Sequence, residues 1–261
     1  MMPSLYVSKT GMDAQQMRLQ VISHNLANAN TTGFKKSRAA FEDLIYQNVR
    51  QTGAQATQDN ELPSGLHLGT GVRVVSTEKI HSQGSVVMTD NSLDMAIEGR
   101  GFFQILQPDG NVAYSRDGSF QLNSNGDVVT SSGKPIQPAL NVPQNTQSIS
   151  IGSDGTVSVR IAGQAAPQQI GNIQLADFIN PSGLEPIGQN LFVESGSSGP
   201  PQVNQPEQNG LGGLIQGSIE TSNVNTVEEL ISMIETQRTF EVNSRAVSTA
   251  DEMLQYVTQR L

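Results

Sequence analysis

The sequence predicts an α+β fold: long N- and C-terminal helices that pair as a coiled-coil-like core domain, with a central antiparallel β domain and an extended connecting segment. Three observations carry this. Apolar residues recur every seven positions at both chain ends. Gly and Pro, 25 and 12 in all, cluster between residues 53 and 220. Short β-branched runs alternate there with turn dipeptides.

Residues 1–45 are expected to form the N-terminal helix of the core domain. From Ser4 to about Asn30, Leu5, Met12, Leu19 and Leu26 are spaced by seven, with Ile22 and Ala29 beside them. That is a single narrow apolar stripe on an otherwise polar helix. Gly11 weakens it at one point. The NANTTGF stretch through Gly33 supplies the stop, because Asn and Gly tolerate left-handed backbone. Phe34 to Val49 either resumes as helix or extends.

Residues 46–71, YQNVRQTGAQATQDNELPSGLHLGTG, are polar, lack apolar periodicity and exceed a routine connection. An extended segment is expected, serving as a plain linker or ordering against another subunit.

Residues 72–220 are expected to form the β domain. Runs such as VRVVSTEKI, GSVVMT, GFFQILQ, FQLN, DVVT, SISIG, TVSVRI and NLFVES have strand length and composition. Asp109-Gly110, Asp117-Gly118, Asn125-Gly126, Ser132-Gly133, Asp154-Gly155 and Ser182-Gly183 accept hairpin-turn dihedrals, which makes an antiparallel meander the simplest reading.

Residues 221–261 close the core domain with a second helix. Thr226 and Glu229 have capping-box spacing, and 36 residues follow from Thr226 without Gly or Pro. Met233, Phe240, Val247, Leu254 and Leu261 recur every seven, flanked by Leu230, Ala250 and Val257. The helix would be about 54 Å long, against about 40 Å for its N-terminal counterpart. One such stripe is the core face of an ordinary amphipathic helix. Two at opposite termini, where chains usually fray, need partners. Pairing with each other leaves little reserve stability, so neighbouring copies of the chain are the expected source of further contacts. Leu5, Met12, Leu19, Ile22, Leu26, Met233, Phe240, Val247, Leu254 and Leu261 are therefore the candidate assembly interface.

Charge and composition exclude several functions. The net charge is −9; residues 1–50 are net +3, residues 226–261 net −3, and the acidic middle carries the rest. Opposite charge favours association of the two ends, modestly and in a salt-dependent way. The absence of a basic stripe argues against nucleic acid. There is no Cys, which removes disulfides, thiolate nucleophiles and Cys-based zinc sites. No segment approaches the length of a membrane span, so no membrane insertion is expected, and the N-terminus lacks the pattern of a cleaved secretory signal.

No constellation points to catalysis, a metal or a cofactor. His24, His67 and His81 share no ligand spacing. Asp94 and Glu98, and Asp117 and Asp127, sit where turn or strand-end acids sit, although two convergent carboxylates are what a glycosidase requires. Gly99-Arg100-Gly101 is not a dinucleotide fingerprint and reads as a bulge or a close backbone approach beside Phe102 and Phe103. LNSNGDVV is a strand, a turn and a strand, without the carboxylate pattern of a calcium loop. The rival from another class is a secreted β-domain carbohydrate-binding protein.

Residues 23–44, SHNLANANTTGFKKSRAAFEDL, resemble the N-terminal signature of flagellar rod, hook and hook-associated proteins. Its core, Asn25, Leu26, Ala27 and Asn28 followed by Thr32, Gly33, Phe34 and Lys35, is intact. DMAIEGRGFFQI, YSRDGSFQLNSNGDVVTSSGKPI and the C-terminal block from Gly217 agree. NELPSGLHLGTGVRVVSTEKIHSQGSVVMTDNSLDMAI is most similar to the distal-rod branch, with proximal rod and hook proteins as alternatives. The resemblance implies a helical homopolymer whose terminal helices line an inner tube and whose β domain lies outside it. It also implies export through the flagellar type III apparatus without a cleaved signal and assembly in the periplasm. The partners implied are proximal rod proteins, hook protein and the surrounding P and L rings. Asn25, Asn28 and Asn30 would fix the turn leading out of the seam by bonding nearby backbone.

Overall fold

The computed structural model describes residues 3–52, 55–57, 60–61, 64–163 and 166–259, so Leu261 of the C-terminal stripe lies outside the described residues. The fold is α+β, and its strands pair antiparallel in both units, as in Val112–Ser115 with Phe102–Leu106 and Gln47–Arg50 with Leu66–Leu68. The chain forms two compact units. One comprises Met1–Ala27, Ser37–Glu78 and Asn225–Leu261; the other comprises Asn28–Lys36 and Lys79–Val224.

In the first unit, helix α1 (Pro3–Ala27) lies against helix α2 (Thr226–Gln259). Asn25 Nδ2 is 3.3 Å from Glu229 Oε1, and the Asn243 side chain covers Gly11, so the two helices run antiparallel. The segment after Phe34 extends, as strand Ser37–Asp43, which pairs with Val72–Lys79.

Residues 46–71 differ from the expected extended connection. Gln47–Arg50 pairs with Leu66–Leu68 and Gln55–Thr57 with Asn60–Glu61, and the segment belongs to the unit that holds the helices. The Leu44 N–H bonds the Gly71 carbonyl at 2.8 Å, and the Thr70 hydroxyl bonds the Ile45 carbonyl at 2.6 Å. Strand pairing satisfies this backbone while leaving Gln47–Arg50 and Leu66–Leu68 exposed on both faces, which is why no apolar alternation marks them in the sequence.

The start of α2 also differs in detail. Asn225, not Thr226, is the N-cap: its Oδ1 accepts from the Val227 N–H at 3.1 Å, and its carbonyl accepts from the Glu229 N–H at 3.0 Å. Glu229, expected to close a capping box with Thr226, has its carboxylate beside Asn25 instead.

The second unit is built on a sheet in the order Glu185–Gly188, Leu191–Val193, Val112–Ser115, Phe102–Leu106, Leu175–Asp177, Gln202–Asn204. Chain-distant strands are neighbours there, so the topology is richer than a meander. The three-stranded sheet Thr146–Ile151, Thr156–Ile161, Gln168–Asn172 is a true meander. Met95, Ile97, Phe103, Ile105, Phe120 and Leu175 form the main core, and Phe102, Tyr114, Phe178 and Phe192 a smaller one.

Of the six expected turn steps, the glycines at 110, 126, 133 and 155 have positive φ. Gly118 is used differently: a Cβ there would lie 1.6 Å from the Met95 carbonyl oxygen, so close packing rather than turn handedness requires glycine. Gly183 lies in a short 3-10 turn, Pro181–Gly183.

Candidate assembly interface

Helices α1 and α2 lie against each other within one chain. Leu5, Met12, Leu19 and Leu26 are half-buried and Ile22 is buried; Met233, Val247 and Leu254 are half-buried, and Phe240 lies at the exposed limit of the seam. A second apolar set on α2 was not singled out by the heptad count. Val227 is 62% exposed, Ile231 53% and Val242 65%, and Leu230, Ile234, Met253 and Tyr256 are exposed as well. At 100° per residue, Val227, Ile231 and Ile234 point away from the face carrying Met233 and Thr236, and Leu230 lies on its flank. Four large aliphatic residues within eight positions off the heptad were the available signal.

The signature residues divide between the units. In the first, the Asn25 amide is 2% exposed and imitates a strand neighbour for Ser37. Nδ2 donates to the Ser37 carbonyl at 2.9 Å, and Oδ1 accepts from the Ser37 N–H at 2.8 Å. Leu26 is half-buried and Ala27 exposed. In the second, the Thr31 N–H bonds the Asn28 carbonyl at 3.2 Å and the Thr31 hydroxyl bonds Asn28 Oδ1 at 3.2 Å, closing the turn after α1. Gly33 has φ +65°, and a Cβ there would lie 2.5 Å from the Asp117 nitrogen. Phe34 is buried, with Lys79 Nζ 4.8 Å over its ring.

Lys35 is the most unusual of these residues, because an ammonium is rarely buried without a partner. Its Nζ contacts Glu220 Oε1 at 2.5 Å and donates to the Ser82 carbonyl at 2.7 Å, with both side chains fully enclosed. Glu220 Oε1 also accepts from the Gly84 N–H at 2.8 Å, and Oε2 lies 3.4 Å from Arg116 Nη1. Arg116 Nη2 donates to the Gly99 carbonyl at 2.8 Å. Desolvation lowers the pKa of both cations, and Glu220 opposes it. His81 packs edge-on against Phe102 and Phe192 at 5.5 and 5.4 Å. Burial, followed by the charges of Lys35, Arg116 and Lys79, pushes its pKa down to about 4. The neutral ring is the form this environment favours. Nothing in the sequence linked Glu220 or Arg116 to Lys35, which lie far apart along the chain.

Asp94, Asp117 and Asp127, three of the four acids weighed as catalysts, hold local structure, and Glu98 is exposed. Asp94 accepts from the Thr89 hydroxyl at 2.6 Å and Asn91 Nδ2 at 3.0 Å. Asp117 accepts from Ser119, and Asp127 from Asn123 and Asn141. Arg100, in the expected bulge, pairs with Asp177 at 3.0 Å. Among the described residues, no group of three or more His, Asp or Glu is placed to hold a metal, and no helix is long and apolar enough to cross a membrane.

Three family models match the chain: "Flagella basal body rod protein" over residues 5–35, "Flagellar hook protein FlgE/F/G D1 domain" over 96–159, and "Flagellar basal body rod FlgEFG protein C-terminal" over 215–260. Contacting terminal helices and a separate β-rich unit, carrying these matches, define a protein of the flagellar rod and hook class. The full-length comparisons are narrower. The chain is 58% identical to the flagellar basal-body rod protein FlgG of Buchnera aphidicola subsp. Schizaphis graminum, covering 99% of this chain and 100% of the relative. It is 45% identical to FlgG of Caulobacter vibrioides over 99% of each chain, and 40% identical to FlgG of Bacillus subtilis over 98% of this chain and 97% of the relative. The chain belongs to the FlgG family of flagellar basal-body rod proteins and is a structural subunit of the rod.

Proposed function

We propose that the chain polymerises into the distal rod, a helical tube that carries torque to the hook, with a mechanical role and no catalytic one. The observation that carries this is the outward face of α2. Val227, Leu230, Ile231 and Ile234 are large, clustered and exposed on a helix whose opposite face is already occupied by α1. Singly exposed apolar residues are ordinary, but a cluster on a terminal helix marks an interaction surface. A neighbouring copy meeting that face through a different surface of its own makes a non-closing contact, which builds a filament.

The α1–α2 pair is then a coiled-coil-like inner seam made of Leu5, Met12, Leu19, Ile22 and Leu26 with Met233, Phe240, Val247 and Leu254. The approach of Asn243 to Gly11 and of Asn25 to Glu229 sets an antiparallel register that brings Ile22 about level with Met233 and Leu5 with Ala250. Helices marginal on their own order when docking buries their apolar faces, which suits passage as an unfolded chain through the flagellar type III export apparatus without a cleaved signal and assembly in the periplasm. The partners in this reading are further copies of the chain, proximal rod proteins, hook protein and the encircling P and L rings.

Leu19→Asp and Leu254→Asp test the seam. Each is expected to abolish rods in electron micrographs of basal bodies while the β-rich unit still unfolds cooperatively. Normal rods from either variant would remove these residues from the seam.

A further inference from the structure

A stripe that repeats every seven residues is degenerate. After a slide of seven, Leu5, Met12, Leu19 and Leu26 still face the Met233, Phe240, Val247 and Leu254 stripe of a neighbour's α2 over all but one repeat. Strand Ser37–Asp43 holds the base of the pair through Asn25. Against a neighbour's α2, which lacks that tie, side chains alone would set the register.

Two features of the upper seam are not heptad-periodic. Gly11 is the only glycine in α1, and α2 has none. The Asn243 side chain lies over it, with Nδ2 3.2 Å from where a Cβ would sit. Gln15, one turn further along α1, has its Oε1 sealed from solvent and unpartnered among the described residues. A polar layer of this kind lowers the stability of the pair, and a glycine in mid-helix lowers it again.

We propose that Gly11 and Asn243, with Gln15 beside them, are specificity determinants of the rod subunit: a notch and key that select one register and partner orientation for α1 and α2. The inference rests on the helix-pair reading above. Sliding α2 by seven would set Asn243 against Ser4 or Arg18, both of which carry a Cβ where the notch has none. The amide would then be pressed into a filled seam. A single polar residue in a heptad seam fixes register in this way at the expense of stability.

The chain has no cysteine, so engineered pairs report register without background. In rods purified from cells making the full chain as sole copy, Leu19→Cys with Thr236→Cys samples the native level. Met12→Cys with Thr236→Cys samples the slide by seven. With Gly11 and Asn243 intact, oxidation is expected to give the first link and not the second, read by mass spectrometry of unreduced peptides. Adding Asn243→Leu, or filling the notch from the other side with Gly11→Ala, is expected to raise the Met12–Thr236 link from background to a yield comparable with the native one. A Met12–Thr236 link that stays at background in both variants overturns the lock. Failure of the Leu19–Thr236 link in the parent overturns the helix-pair reading, and the lock with it.

Discussion

Lys35 and Glu220 form the same kind of ion pair as Arg38 and Glu78, yet burial makes them energetically different. The first pair is fully enclosed, whereas the side chains of the second are 68% and 38% exposed. Removing Glu220's charge leaves Lys35 and Arg116 buried without their shared anion. Glu220→Gln is therefore expected to destabilise the β-rich unit by about 3–5 kcal/mol in denaturant titrations. Glu78→Gln in the exposed pair is expected to cost less than about 1 kcal/mol. His81 adds a pH dependence whose sign follows from its depressed pKa. The unfolded chain takes up the His81 proton from about 6.5 downward, and the folded chain only near 4. Stability is therefore full above the unfolded value, falls between the two, and is flat below the lower one, a loss of about 3 kcal/mol at most. Unfolding monitored from pH 7 to 4 should show this acid limb in the parent. His81→Phe, whose ring suits the same edge-on stacking, should flatten it, and an unchanged limb would assign it to other groups.

At the scale of elements, Asn25 joins α1 to the strand that follows and to the base of α2. Asn25→Leu removes both bonds to the Ser37 backbone and is expected to cost about 1–3 kcal/mol for each polar group left unpaired. Asn25→Asp keeps an acceptor for the Ser37 N–H but loses the donor and faces Glu229, so it should not rescue. Circular dichroism and thermal unfolding of the full chain would separate these variants. Much of this element structure was legible in the sequence. The seven-residue spacing marked both helices, the Gly33 stop and most strand runs stand where their residue types place them, and the N-cap lay one residue from the position read. The pairing of Gln47–Arg50 with Leu66–Leu68 was not legible, because a two-stranded ribbon exposed on both faces has no apolar alternation to betray it. The Lys35–Glu220–Arg116 cluster was hidden for another reason: pairing between residues 185 apart in sequence is set by tertiary packing, which no local pattern encodes.

For the whole molecule, the account divides α2 into two faces with separate duties. The face of Met233, Thr236 and Asn243 is turned to α1 of the same chain, and the face of Val227, Leu230, Ile231 and Ile234 is the one proposed to meet another copy. The heptad found the first because a regular repeat is visible by counting; the second lies in one irregular cluster near the start of the helix. The most direct test is the double variant Ile231→Asp with Ile234→Asp, expressed as sole copy and examined by electron microscopy of basal bodies, with circular dichroism on the purified chain. The account predicts a chain that keeps its β-rich fold and is exported but builds no rod. Rods of normal number and length from that variant would contradict it.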